Sequence, residues 1–122
     1  MKILITHPHL DVFGGSERLT SILTYELEKQ DNEILLVTRA KSNLWFKETP
    51  KVKFKYIKTL EEKPQKLSQL IKQRLTEIWE TLIEAIEEFQ PDILLNMIQE
   101  PIYNLLAKIV RPKLKTAIYI HF

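Results

Sequence analysis

Apolar residues alternate along this chain between short runs and longer stretches of helical spacing. Lys2-Ile3-Leu4-Ile5-Thr6 is a run of strand-forming residues, and Glu33-Ile34-Leu35-Leu36-Val37-Thr38 reads as a strand buried on both faces. In Val52-Lys53-Phe54-Lys55-Tyr56-Ile57, apolar residues alternate with lysine, as in a strand with one covered and one wetter face; an edge position follows. Asp92 to Ile98 and Lys115 to Ile120 complete a set of five strands. Between them, Leu19, Ile22, Leu23 and Leu27 share one helical face over Ser16 to Glu28. Pro64 suits a helix first turn, and Leu67, Leu70, Ile71, Leu75, Ile78, Trp79, Leu82, Ile83, Ile86 and Phe89 then hold a stripe up to Gln90-Pro91. At about 1.5 Å per residue that helix spans close to 40 Å, enough to cross the sheet from an edge strand. Its last turn carries Glu87 and Glu88, the wrong sign for a helix C-terminus. Ile102, Leu105, Leu106 and Ile109 mark a third helix, ended by Arg111-Pro112. Arg39 to Lys51 is less legible: Pro50 argues against a regular element, and the rings of Trp45 and Phe46 either cap the core or touch a membrane.

Strand and helix in this alternation specify an α/β fold, an open parallel five-stranded sheet with helices on both faces, of Rossmann-like type. With right-handed crossovers the strand order is third, second, first, fourth, fifth, and the topological switch falls between first and fourth. The loop holding Gly14-Gly15 ends the first strand, Gln99-Glu100 ends the fourth and His121 ends the fifth, so three polar clusters meet at one carboxyl edge, where ligands of such sheets bind.

The 122 residues make one domain, and 44% hydrophobic with 28% charged content is ordinary for a globular protein. Absence of cysteine excludes disulfides and thiolate chemistry and suits a reducing cytoplasm. The longest apolar runs fall well short of the roughly 20 residues of a spanning helix, and no signal-peptide pattern opens the chain. A cytoplasmic protein is expected. The net charge of +2 hides a segregation. Arg39 to Arg74 holds eleven Lys and Arg against three Glu, whereas Leu75 to Ala107 holds seven acids and no base. One positive side suits anionic headgroups at the inner face of a membrane or a phosphorylated substrate, with solvated lysines as the plain alternative. Nucleic acid is not the expected partner.

Candidate chemistry begins at Gly14-Gly15-Ser16-Glu17-Arg18. A Gly-Gly step lets backbone N–H groups approach an anion, and the helix that follows points its positive end there. Paired glycines before a helix also serve as a plain turn, so the motif takes its weight from context. His7, His9 and His121 are three imidazoles at one sheet edge, a set that can bind zinc; water or backbone contacts are the commoner use of loop histidines, and no metal or cofactor is expected.

The order of these motifs resembles the start of family-four (group 1) glycosyltransferases of the GT-B fold. The resemblance rests on Lys2-Ile3-Leu4-Ile5, Gly14-Gly15-Ser16-Glu17-Arg18, the strand Glu33 to Thr38, Gln90-Pro91-Asp92-Ile93 before the fourth strand, and Tyr119-Ile120-His121-Phe122. It implies retaining transfer of a sugar from a nucleotide-sugar donor to an acceptor in a cleft between two Rossmann-like domains, residues 1–122 being an incomplete N-terminal domain. By the same resemblance Gly14 and Gly15 contact the donor diphosphate, His121 is the catalytic residue near the transferred sugar, and His7, His9 and Glu100 contact the acceptor. The C-terminal domain that holds the nucleotide in such enzymes is missing, and with it the family's pair of glutamates. Glu80 and Glu88 reproduce that spacing only on the polar face of the long helix, where glutamate is an ordinary solubilising residue. A second reading of a different class is a noncatalytic Rossmann-like binding or adaptor module that holds an acidic partner on its basic surface.

Overall fold

The computed structural model describes residues 1–12, 14–58 and 65–119. Its central strands are β1 (Lys2–Thr6) and β3 (Glu33–Thr38), flanked by β5 (Val52–Tyr56) on one side and by β6 (Ile93–Asn96) and β7 (Lys115–Ile118) on the other. The order is β5-β3-β1-β6-β7, every pairing parallel. This is the Rossmann-like arrangement expected from the sequence, with the switch between β1 and β6 and the lysine-alternating strand at the edge.

Side chains of a strand point alternately to its two faces, and β1 shows why both must be covered. Ile3 and Ile5 join Ile34, Leu36, Val52 and Phe46 in a core on the side of α1 (Gly15–Lys29). Leu4 joins Leu35, Val37, Leu94 and the inner faces of α2 (Leu67–Phe89) and α3 (Ile102–Val110) in the other. Phe46 is fully buried and meets Phe54 edge-on, with ring centroids 6.0 Å apart. Of the two roles open to Trp45-Phe46, core capping is therefore the one Phe46 performs.

Helix α1 differs from its apolar pattern. The residues it buries are Glu17, Thr20 and Thr24; Leu19, Leu23 and Leu27 are half-buried beside them, and Ile22 faces solvent. Helix α2 differs more. Its stripe packs on the sheet only from Ile78 onward, through Leu82, Ala85 and Ile86, whereas Leu67 and Ile71 are 73% and 52% exposed. The first half lies outside the core cluster, with Leu67, Leu70, Ile71 and Leu75 all exposed. Gln90 ends the helix in the left-handed region (φ 54°), and Pro91 follows. Pro64 lies outside the described residues.

The acids at the end of α2 have a physical account that sequence alone lacked. Glu84 pairs with Lys55 (3.2 Å) and Lys58 (3.0 Å), and Glu88 approaches Lys55 at 3.5 Å. The lysines that protect edge strand β5 thus supply the positive charge that the helix end itself lacks. No helix among the described residues is long and apolar enough to cross a membrane.

Candidate functional site

The carboxyl ends of β1, β3 and β6 open onto one edge, and the loops leaving them are tied together. A short parallel ladder, absent from the sequence-based expectation, pairs β2 (His9–Leu10) with β4 (Ala40–Lys41). It joins the loop after β1 to the loop after β3, and the Arg39 N–H adds a bond to the Pro8 carbonyl at 2.9 Å. Two-residue strands carry too little alternation to be read from sequence.

Gly14 is the N-cap of α1 and offers no side-chain cap; the Arg18 N–H bonds its carbonyl at 3.2 Å. Its own N–H is used within the loop, donating to the Val12 carbonyl at 3.2 Å. A side chain at Gly14 would displace the end of the Glu17 side chain, since an added Cβ would lie 2.5 Å from Glu17 Oε2. Glu17 occupies the N3 position and folds its carboxylate back over the glycine, satisfying the positive end of the helix from inside the protein. Gly15 is the opposite case: an added Cβ meets nothing within 4 Å, and its φ is not positive. Among the described residues, Gly15 is the glycine with open space in front of it.

His7 turns inward. Its Nδ1 accepts the His9 N–H at 3.2 Å, which places the ring proton on Nε2, where it donates to Ser16 Oγ at 2.9 Å. Glu17 Oε1 stands 3.8 Å from the same nitrogen. His7 therefore joins the end of β1 to the first turn of α1, while His9 faces the cleft described below. His121 lies outside the described residues, as does the strand end expected around Ile120.

At the switch itself lies a buried amide that sequence reasoning missed. Asn96 Nδ2 donates to the Glu100 carbonyl (2.6 Å) and to Asn104 Oδ1 (2.9 Å), while its Oδ1 accepts from Thr6 Oγ1 (3.2 Å) and the Ile98 N–H (3.3 Å). Asn104 Nδ2 continues to the Ala117 carbonyl at 3.2 Å. One amide thus locks β1, β6, the β6–α3 loop and, through Asn104, β7. The available signal was an asparagine closing an apolar strand at the switch point. Asn96→Ala is expected to lower unfolding stability by about 2 kcal/mol, because Asn104 and the Glu100 carbonyl lose their partner in a site without solvent. Urea denaturation reads this directly, and a loss below about 0.5 kcal/mol would show that the network does not hold the edge together.

Beside this network, between α2 and α3, is a cleft of about 300 Å³. His9 and Arg39 enter it from the loops, Arg74 and Ile78 from α2, and Glu100 and Tyr103 from the β6–α3 segment. The fold thus brings His9 and Glu100 to one cleft, whose lining does not include Gly14, Gly15 or inward-facing His7. Arg39 Nη1 is 3.0 Å from Glu77 Oε2, and Arg74 Nη1 is 3.9 Å from the same oxygen. Glu77 is 1% exposed. Tyr103 is 2% exposed, and burial pushes its hydroxyl up to about 12, with nearby Arg39 opposing and Glu100 reinforcing the shift. The phenol is an O–H donor at any physiological pH.

Among solved structures, the chain superposes on the apo form of the lipopolysaccharide outer core galactosyltransferase WaaB with a TM-score of 0.64 and 21% identity. The two share a Rossmann-like fold. The superposition takes in 97% of this chain and 32% of the galactosyltransferase, so the chain spans about a third of the length of that protein. Neither a protein-family model nor a curated protein sequence matches it.

Proposed function

We propose that this chain is the N-terminal, acceptor-side part of a retaining glycosyltransferase that moves a sugar from a nucleotide-sugar donor to an acceptor. The observation that carries the reading is the superposition of nearly the whole chain on one third of a galactosyltransferase, together with motifs of the group 1 glycosyltransferases at the strand ends. In this reading the open space before Gly15 and the N-terminus of α1 face the donor diphosphate, and Gly14 shapes the loop by leaving room for Glu17. The cleft with His9 and Glu100 takes part of the acceptor, and His121 is assigned to the transferred sugar by the resemblance of its motif alone. The remaining domain, supplied by a longer chain or a second polypeptide, binds the nucleotide.

Residues 1–122 alone are accordingly expected to show no sugar transfer and no tight binding of nucleotide-sugars by calorimetry, whereas the product of the whole reading frame transfers label from at least one donor of a nucleotide-sugar panel to a cell-extract acceptor. Micromolar donor binding by the isolated chain would overturn the division of labour. A complete protein that neither transfers nor hydrolyses any donor would overturn the enzyme reading itself.

A second reading, a binding or adaptor module, is favoured by the first half of α2, where exposed Leu67, Ile71 and Leu75 stand among Lys66, Lys72 and Arg74. Such a basic and apolar helix face suits peripheral contact with an anionic membrane, a contact compatible with either reading. The lysines of β5 are less suited to it, because Lys55 is engaged by Glu84 and Glu88.

A further inference from the structure

Helix α2 carries its charges in the reverse of the order its dipole prefers. Lys66 is its N-cap residue, the first turn has no acid, and Lys72 and Arg74 follow, while Glu84, Glu87 and Glu88 crowd the far end. Cations in the first turn and anions in the last are unfavourable unless something answers them. At the C-terminal end Lys55 and Lys58 answer. At the N-terminal end no described carboxylate lies within ion-pair distance of Lys66 or Lys72, and the nearest acid in the helix, Glu77, is already shared between Arg39 and Arg74. Two guanidinium groups thus face one carboxylate. Arg74, the more distant at 3.9 Å, has a side chain 52% exposed and stands at the mouth of the cleft.

The opposite wall supplies an independent sign. Tyr103 is almost wholly buried, yet its hydroxyl makes no hydrogen bond with any described residue. The hydroxyl is close enough to Arg39 and Glu100, both lining the cleft, to feel their charges, so it stands at the cleft and not in the core behind it. Its oxygen is not among the buried polar atoms left without a partner, so it keeps access to the cleft, where a ligand can accept its O–H. Glu100, the acid of this wall, is exposed, and its Oε1 accepts the Ile102 N–H at the start of α3 at 3.3 Å. Ile78, Ile98 and Ile102 form the apolar remainder, which keeps the local dielectric low and strengthens any charge placed there.

We propose that the cleft between α2 and α3 binds the anionic group, a phosphate or a carboxylate, of a small ligand, held by Arg74, Arg39 and the Tyr103 hydroxyl. The anion answers the two guanidinium groups that share Glu77 and accepts the tyrosine O–H. If the chain is the acceptor-side part of a glycosyltransferase, the acceptor is acidic; the site itself stands without that reading, because it is tested by binding and not by transfer.

The test is a nuclear magnetic resonance titration of the 122-residue chain with inorganic phosphate, glycerol phosphate and acetate, at constant ionic strength set with chloride. Saturable millimolar binding of at least one anion is expected, with the largest shifts at Arg39, Ile78 and Tyr103. Neutral glycerol is expected to leave these signals in place. Tyr103→Phe removes one oxygen and Arg74→Gln alters an exposed side chain, so both variants keep the fold; each is expected to weaken binding about tenfold, the loss of one charge-assisted bond. Stronger binding of phosphate than acetate assigns a phosphate ester, and the reverse assigns a carboxylate. Phosphatidylglycerol vesicles that shift the Arg39 and Tyr103 signals as glycerol phosphate does assign a lipid headgroup, and vesicles that leave them unmoved assign a soluble ligand. Shifts spread evenly over surface lysines, binding unchanged in both variants, or no saturation by any anion would overturn the site.

Discussion

Arg39→Ala is expected to destabilise the domain by about 3–5 kcal/mol, a large share of the total stability of a chain of this size. Glu77 lies 1% exposed beneath the guanidinium, so the variant removes the cation 3.0 Å from its carboxylate in a site nearly closed to solvent. Arg74 cannot replace it, being at 3.9 Å and half in solvent, where much of its field is screened. The pair itself is not expected to be worth so much, because desolvation offsets most of the attraction between buried ions. The double variant Arg39→Met/Glu77→Leu should therefore recover most of the loss. Urea unfolding of Arg39→Ala and of the double variant separates these effects. A single-variant loss below about 1 kcal/mol would mean that Glu77 keeps its charge through other partners, and a double variant as unstable as Arg39→Ala would assign the damage to packing.

The fold was legible because its central strands must be buried on both faces: Ile3, Leu4 and Ile5, with Ile34 to Val37, leave no polar face for any sheet edge or solvent side. Right-handed crossovers then fixed the order, and the lysines between Val52 and Tyr56 named the edge. The burial of α2 was not legible. Leu67 to Leu75 repeat with the same period as Ile78 to Phe89, and period reports which face of a helix is apolar, not whether anything lies beneath it. Glu77 was hidden for the converse reason. Its partner is 38 residues away, and glutamate on a helix otherwise reads as surface. Thr6, Asn96, Asn104 and Tyr103 belong to the same class, since each meets the others or the cleft only once strands distant in sequence have come together. At the glycine loop the sequence did not show how the two glycines differ. Gly14 leaves space for a neighbouring carboxylate, whereas none of the described residues comes within 4 Å of a Cβ placed on Gly15.

That difference yields the largest effect on activity. On the proposed function, in an enzyme completed by a nucleotide-binding domain, Gly15→Val is expected to lower sugar transfer about a hundredfold, the scale on which a displacement of about 1 Å acts at a reacting centre. The same substitution should change thermal stability little. Its Cβ enters open space, its φ is one that any residue adopts, and it stands at the first position of α1, where the helix makes no packing demand on the side chain. Gly14→Val is the contrasting variant: the new Cβ would meet the Glu17 carboxylate, which must swing away from His7 and from the start of the helix, so stability falls by about 1–2 kcal/mol. Activity in that variant is lost through the fold. Melting temperature and transfer rate measured on both proteins distinguish a residue kept small for a ligand from one kept small for the protein. If Gly15→Val retains full transfer, or loses it only in proportion to its unfolded fraction, the space before Gly15 is not where the diphosphate lies, and the start of α1 serves the fold alone.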